Sequence, residues 1–402
     1  MGHVEKYVST NGIVELVEKP VFGQFVPTRK VLKSFLELPG MFNIVTTHMN
    51  QLLHDTSGTI SNVIKGDLWK EKSAADGEKM YLPINLHFDD YEPDNPLGSH
   101  HNDNSLGALY GSIGCLPRKL ASSAENVFLV TIFLSKYRKD FGNEVSFANV
   151  TEEMTFLETE GIQINTGDEI HQIYFRFTLL IADNAGFHAV QGFVGSFSAN
   201  FYCRFCKLHR DTMEHFCEKV PDCFLRTPEN YLVDVATNKS LTGVKELCVF
   251  NIIPSFNCIE NSNCDVLHDL HEGAVKYGIC NILFYFVSTR AYFTIDVLKY
   301  RIKGFDYGPI DMGNKPPTSH LTVERLESCS WNLSASEMIC VARYLGEMIS
   351  DLIPVGNNVW KLYLLLREIL EIILSPYFYV GTEKYLMTLI IEHHASYVQF
   401  SS

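Results

Sequence analysis

Two aspartates in this sequence stand where a rigid backbone could hold them toward solvent. Asp89 opens the acidic run Asp89-Asp90-Tyr91-Glu92-Pro93-Asp94 and ends the alternating segment that starts at Met80. Asp183 follows the apolar stretch Ile173–Ala182 and precedes Asn184-Ala185-Gly186. Alternation of apolar and polar residues over a short run reads as strand, so both acids are expected at strand ends. Carboxylates brought together from adjacent strands can share Mg2+ or Mn2+, hard cations that take oxygen ligands and keep some of their water. Two such ions stabilise the attacking and leaving oxygens of a phosphodiester displacement. The same residues have a plainer reading. Asp90, Glu92 and Asp94 suit a turn, and Asp183 suits a helix N-cap.

Cys203-Arg204-Phe205-Cys206 has the spacing that turns two thiolates toward one tetrahedral Zn2+. His209, His215, Cys217 and Cys223 follow closely, so the other ligands come either from this neighbourhood or from far along the chain. Reduced buried cysteines or a redox pair would read the same way. Arg204, Lys207 and Arg210 surround the knuckle with charge that a phosphate backbone could use. In His268-Asp269-Leu270-His271-Glu272-Gly273, positions 268, 271 and 272 share one face of a helix. His268 and Glu272 could hold a metal or present a general base. Alternatively, Asp265 caps the helix and His268 packs beneath it. The order of residues is not that of the His-Glu-x-x-His zinc proteases. His393-His394 read as surface residues. No Gly-rich phosphate loop and no Gly-x-Ser-x-Gly elbow occur, which disfavours nucleotide hydrolysis and serine-hydrolase chemistry.

Three regions must position these groups. Residues 1–75 read as mainly helical: Val31, Leu32, Phe35 and Leu36 follow helical spacing, Pro39-Gly40 stops it, and a second apolar stretch covers Met41–Leu53. Lys70–Lys79 is polar and reads as a loop. Residues 76–200 read as a strand-rich core carrying Asp89 and Asp183, with Leu106–Ile113 apolar and Val127–Leu134 suited to a strand or a helix core. Residues 201–402 hold the knuckle and a helical region, with helices expected over Asp265–Val287, over Trp360–Leu374 and from Lys384 toward His394. The fold class is α/β with helical additions. The 402 residues are 46% hydrophobic, enough for a large core. The net charge of −14 does not favour nucleic acid, so DNA would need a local basic patch or a separate module. The 11 cysteines, none before Cys115, suit a reducing compartment, nuclear or cytoplasmic. Met1–Ser9 has no apolar signal core, and runs such as Ile282–Val287 are too short to span a bilayer. A soluble protein without a membrane partner is expected.

Four segments then occur in order: Phe88-Asp89-Asp90-Tyr91 on to Ser99, Ile181-Ala182-Asp183-Asn184, Phe197 to Cys206, and Leu267 to Gly273. Together they resemble animal proteins related to the EnSpm/CACTA group of DDE-type cut-and-paste DNA transposases. The similarity runs from about residue 20 to the end of the chain. The resemblance implies an RNase H-like core whose two Asp and one Glu bind two Mg2+ or Mn2+. Asp89 matches the first acid, with Asp90 competing, and Asp183 matches the second. It also implies a helical insertion with a zinc site begun by Cys203 and Cys206, DNA as partner, and assembly into a homo-oligomer. A His-x4-His pair and the catalytic Glu are expected after residues 392–394, and the sequence reaches Ser402 before either appears. Glu272 is the one well-placed internal substitute. The expectation is therefore a transposase-derived protein related to metal-dependent DNA strand cleavage and transfer, but catalytically incomplete. A rival expectation is a non-catalytic zinc-binding interaction protein; the face of Leu362, Leu365, Leu366, Ile369 and Ile373 could meet a partner, though helical spacing favours core packing for it. A third is a metal hydrolase using His268 and Glu272.

Overall fold

The computed structural model describes residues 1–10, 13–93 and 104–401. The chain divides into two compact units, Met1–Glu214 with Val220–Asn263, and His215–Lys219 with Cys264–Ser402. It is a mixed α/β protein.

The first unit opens on a hairpin where the sequence predicts helix. Strands β1 (Gly2–Thr10) and β2 (Ile13–Val21) pair antiparallel from Gly2↔Val21 to Thr10↔Ile13. Val4, Val8, Ile13, Val14 and Val17 explain the difference, since β-branched residues favour extended backbone. The short strand β3 (Gln24–Phe25) follows. Helices α1 (Thr28–Leu36) and α2 (Met41–His54) then appear as expected, separated at Gly40, whose φ of 77° suits a residue without a side chain. Helix α3 (Asp67–Ser73) occupies the first half of the polar run predicted as loop. Its anchor is Trp69, 3% exposed, which directly precedes that polar run.

The central sheet comprises β3, β4 (Met80–Tyr91), β5 (Leu106–Ile113), β6 (Phe128–Leu134), β7 (Ile162–Asn165) and β8 (Ile170–Ile181). Their order is β3-β6-β5-β4-β8-β7. Strands β4, β5 and β6 form an antiparallel meander, and β8 lies on the other side of β4, parallel to it. Val127–Leu134, open between strand and helix from sequence, is thus largely strand. Helix α4 (Ser135–Thr159), broken at Gly142 where φ is 81°, connects the meander to β7 and β8. Leu82, Ile84, Leu86 and Phe88 of β4 share a core with Phe147, Val150, Met154 and Leu157 of α4. Phe88 and Phe147 meet edge to face with centroids 5.9 Å apart. Each such buried side chain contributes about 2 kcal/mol of transfer free energy.

One irregularity in the sheet bears on the aspartates. The β4–β8 register shifts between Ile84 and Asn85. The buried residues of β8 accordingly change phase, from Ile173, Phe175 and Phe177 to Leu180 and then Ala182. Beyond the shift, even positions of β4 and of β8 face the α4 core together, and odd positions face away together.

In the second unit, a π-helical segment (Val266–Val275) leads into α5 (Lys276–Phe284), and α6 (Ala335–Ile349), α7 (Asn358–Ile373) and α8 (Thr382–Ser401) follow. Trp331, Leu345, Leu362 and Tyr363 lie in its core. Helix α6 starts with a capping box in which Glu337 N donates to Ser334 Oγ and Ser334 N donates to Glu337 Oε2. Leu362 and Leu366 pack into this core and Ile369 is also buried, so three of the five residues of the leucine-rich face are internal, in line with core packing. Among the described residues, no helix is long and apolar enough to cross a membrane.

Candidate functional site

The last registered pair between β4 and β8 is His87↔Ile181. Asp89 lies two residues beyond it on β4, and Asp183 lies two residues beyond it past the end of β8, at the start of the next helix. Both are exposed. His87 is two residues before Asp89 on β4, and its ring hydrogen-bonds Ser112 Oγ at 2.9 Å. Burial pushes the His87 pKa below its ordinary value. Asp183 is also the helix N-cap that its position suggests. Its Oδ1 accepts from Gly186 N at 2.5 Å, starting the helix Asn184–Gln191. That bond uses one of about four lone-pair positions on the carboxylate and fixes its direction, leaving oxygen available to a cation.

Asp90 has a different job. It is on the opposite pleat face, where Ser135 Oγ donates to Oδ1 at 2.5 Å and Arg138 Nη2 donates to Oδ2 at 3.1 Å. Arg138 is only 7% exposed, so Asp90 balances a buried charge. Asp90→Ala is expected to lower stability by about 2 kcal/mol in urea unfolding, because it strips a charged acceptor from that guanidinium. Asp94, the last acid of the run, lies outside the described residues.

The cysteine knuckle is tightly mounted. Cys206 bridges to Leu225, Lys207 N donates to Phe224 O at 2.8 Å, and Arg226 N donates to Phe205 O at 3.0 Å. The Cys206 thiol donates to Cys203, which holds the Cys203 thiol down to about 6, and the same bond with burial pushes Cys206 up. Two thiols in one turn fit half of a tetrahedral zinc set. Among the described residues, no group of three or more His, Cys, Asp or Glu gathers to hold a metal. His209 caps a short helix by accepting from Asp211 N at 3.3 Å, and Cys223 is exposed. His215 and Cys217 belong to the second unit.

No protein-family model matches the chain, and no curated protein does.

The basic patch at the knuckle is smaller than the sequence suggests. Arg204 is 5% exposed and turned inward, with its guanidinium carbon 4.6 Å from the Phe187 ring centroid and 4.5 Å from that of Phe205. Flanking aromatics drew the planar cation off the surface. Arg210 is half-buried, donates to Ser198 O at 2.9 Å and pairs with Asp211.

In the second unit, Asp265 performs the capping role. Its Oδ1 accepts from His268 N at 3.1 Å, and its Oδ2 lies 2.6 Å from His268 Nδ1. His268 is bonded as expected but exposed rather than packed. The shared face of 268, 271 and 272 does not form. The segment is π-helical, so its wider turn carries His271 into the interior while Glu272 stays exposed. Burial pushes the His271 pKa down. Glu272 belongs to the second unit, whereas Asp89 and Asp183 belong to the first. His393, expected at the surface, is 7% exposed, while His394 is exposed.

Proposed function

We propose that this chain is a transposase-derived protein with an RNase H-like first unit, in which Asp89 and Asp183 hold Mg2+ or Mn2+ against a DNA backbone. One observation supports the reading: β4 and β8 are parallel neighbours, and each acid follows their last registered pair, His87↔Ile181, by two residues. Further support comes from the strand order. A meander from β4 to β6, then a helix, then the hairpin β7–β8 whose second strand lies parallel to β4 supports the reading, with β7 as an added edge strand. Two hard oxygen donors from adjacent strands fit a divalent cation that completes its shell with water. When bound, such ions activate water and stabilise the charge of an in-line phosphodiester displacement.

The chain's own residues then divide the work. Asp89 and Asp183 hold the cation. The capping bond from Gly186 fixes the Asp183 carboxylate. Phe88 and Phe187, both in the core beside the acids, keep the strand and helix ends from shifting. Cys203 and Cys206 offer two thiolates to Zn2+ at the knuckle. A DDE-type reaction calls on a third carboxylate, and no described His, Cys, Asp or Glu joins the pair.

The test is Mn2+ titration of the purified full chain followed by electron paramagnetic resonance, with plasmid nicking measured alongside. Wild-type protein should bind Mn2+, and Asp89→Asn and Asp183→Asn should each weaken binding by about tenfold or more, since each removes a charged oxygen ligand. Binding that is absent, or indifferent to both substitutions, would sink the reading. Robust nicking lost in both variants and in Glu272→Gln would instead make Glu272 the third acid.

A further inference from the structure

We infer that Arg204 is a positioning residue for Asp183, tying the cysteine knuckle to the strand end and helix start that aim the carboxylate. The inference rests on the cation-site reading above. Its starting point is that Asp183 does not orient itself. The direction of its carboxylate is set by the bond from Gly186 N, and hence by the first turn of the helix Asn184–Gln191.

Arg204 grips that turn. Its Nη1 donates to Asn184 Oδ1 at 2.6 Å, on the residue next to Asp183. Its Nη2 donates to Asn263 O at 3.0 Å. The side chain of Asn263 in turn donates from Nδ2 to Leu180 O at 3.1 Å, three residues before Asp183 on β8. A continuous path therefore runs from the end of the strand, through Asn263 and Arg204, to the start of the helix. Asp183 sits between its two ends.

The grip is stiff because the arginine cannot swing. Phe187, on the first turns of the same helix, and Phe205, inside the knuckle, flank the guanidinium. The backbone that carries Arg204 is pinned on both sides. Arg226 Nε donates to Cys203 O at 3.0 Å, and Arg226 N to Phe205 O. Arginine suits this role in a way lysine does not. Its planar fork reaches two acceptors at once and stacks on rings, whereas an ammonium is a single, strongly hydrated point charge. A ligand-orienting partner of this kind commonly governs metal affinity by ten- to a hundredfold.

The sign of the effect separates positioning from charge. A guanidinium near a carboxylate repels an incoming cation, so a purely electrostatic Arg204 would weaken Mn2+ binding and its loss would tighten it. A positioning Arg204 does the reverse. The experiment is Mn2+ titration by electron paramagnetic resonance on the full chain, with circular dichroism confirming the fold. Arg204→Lys, which keeps the charge, should weaken Mn2+ binding by about tenfold. Asn184→Ala, at the accessible helix start, should act in the same direction. It keeps the test open should the buried substitution unfold the protein. Asn184→Asp, which still accepts from Arg204, should bind at least as well as wild type. Unchanged or tighter binding in folded Arg204→Lys and Asn184→Ala would overturn the inference while leaving the cation site standing. Wild-type protein that takes up no Mn2+ would overturn both.

Discussion

Replacing Arg226 with Met should cost the first unit about 3–5 kcal/mol. The Arg226 side chain is fully buried and its partner Asp234 is 10% exposed. Three bonds converge on the guanidinium: Nη1 to Asp234 Oδ2 at 2.7 Å, Nη2 to Thr242 O at 2.6 Å, and Nε to Cys203 O at 3.0 Å. Burial pushes the Arg226 pKa down and Asp234 opposes that shift, so the ion pair persists in the interior. Methionine fills the volume but leaves a carboxylate charge and two carbonyls without their donor. The backbone cannot easily readjust. Gly243, at φ 74°, leaves no room for a Cβ against Phe201 O. Pairing the change with Asp234→Leu should recover a substantial part of the loss, because an apolar pair does not carry an uncompensated charge. Urea unfolding of the two single variants and the double variant gives the coupling directly. A single-variant loss under about 1 kcal/mol would mean that water reaches Asp234.

The features read correctly from sequence are those in which burial imposes a short period. The segments around Met80–Asp89 and Ile173–Ala182 alternate because every second side chain enters the α4 core, and the structure has strands there. The Asp183 cap was visible for the same local reason, since its partner Gly186 is three residues away. Local patterns carry no information about register, however. The shift at Ile84/Asn85, after which His87 pairs with Ile181, leaves no mark in the composition. Nor could the roles of the two arginines be read. Arg204 is an ordinary basic residue until Asn184 and Asn263 are brought to it, and Arg226 until Asp234 and Thr242 are. The π-helical turn misled in another way. A helical wheel of period 3.6 groups His268, His271 and Glu272, and a wider turn separates them. The helical spacing that starts at Val31 does not reach back across the β-branched residues before it, which form the opening hairpin instead.

His393 should make the helical unit lose stability on mild acidification. It lies in α8, 7% exposed, with its ring stacked on Tyr397 at a centroid distance of 6.2 Å. Burial, reinforced by the neighbouring His394, pushes its pKa down to about 4. An unfolded histidine titrates near 6.5. Above that pH both states are neutral at this ring, and the native contact is intact. Between about 6.5 and 4 the unfolded chain takes up a proton that the folded chain refuses, so stability falls as pH falls. Below about 4 the loss is complete, at about 3 kcal/mol. His393→Gln retains a neutral side chain of comparable size and removes the titration. Between pH 7.5 and pH 5, wild-type stability in urea should therefore drop by about 2 kcal/mol more than that of the variant. Parallel slopes for the two proteins would show that His393 protonates in place, and that α8 opens around it before the rest of the unit unfolds.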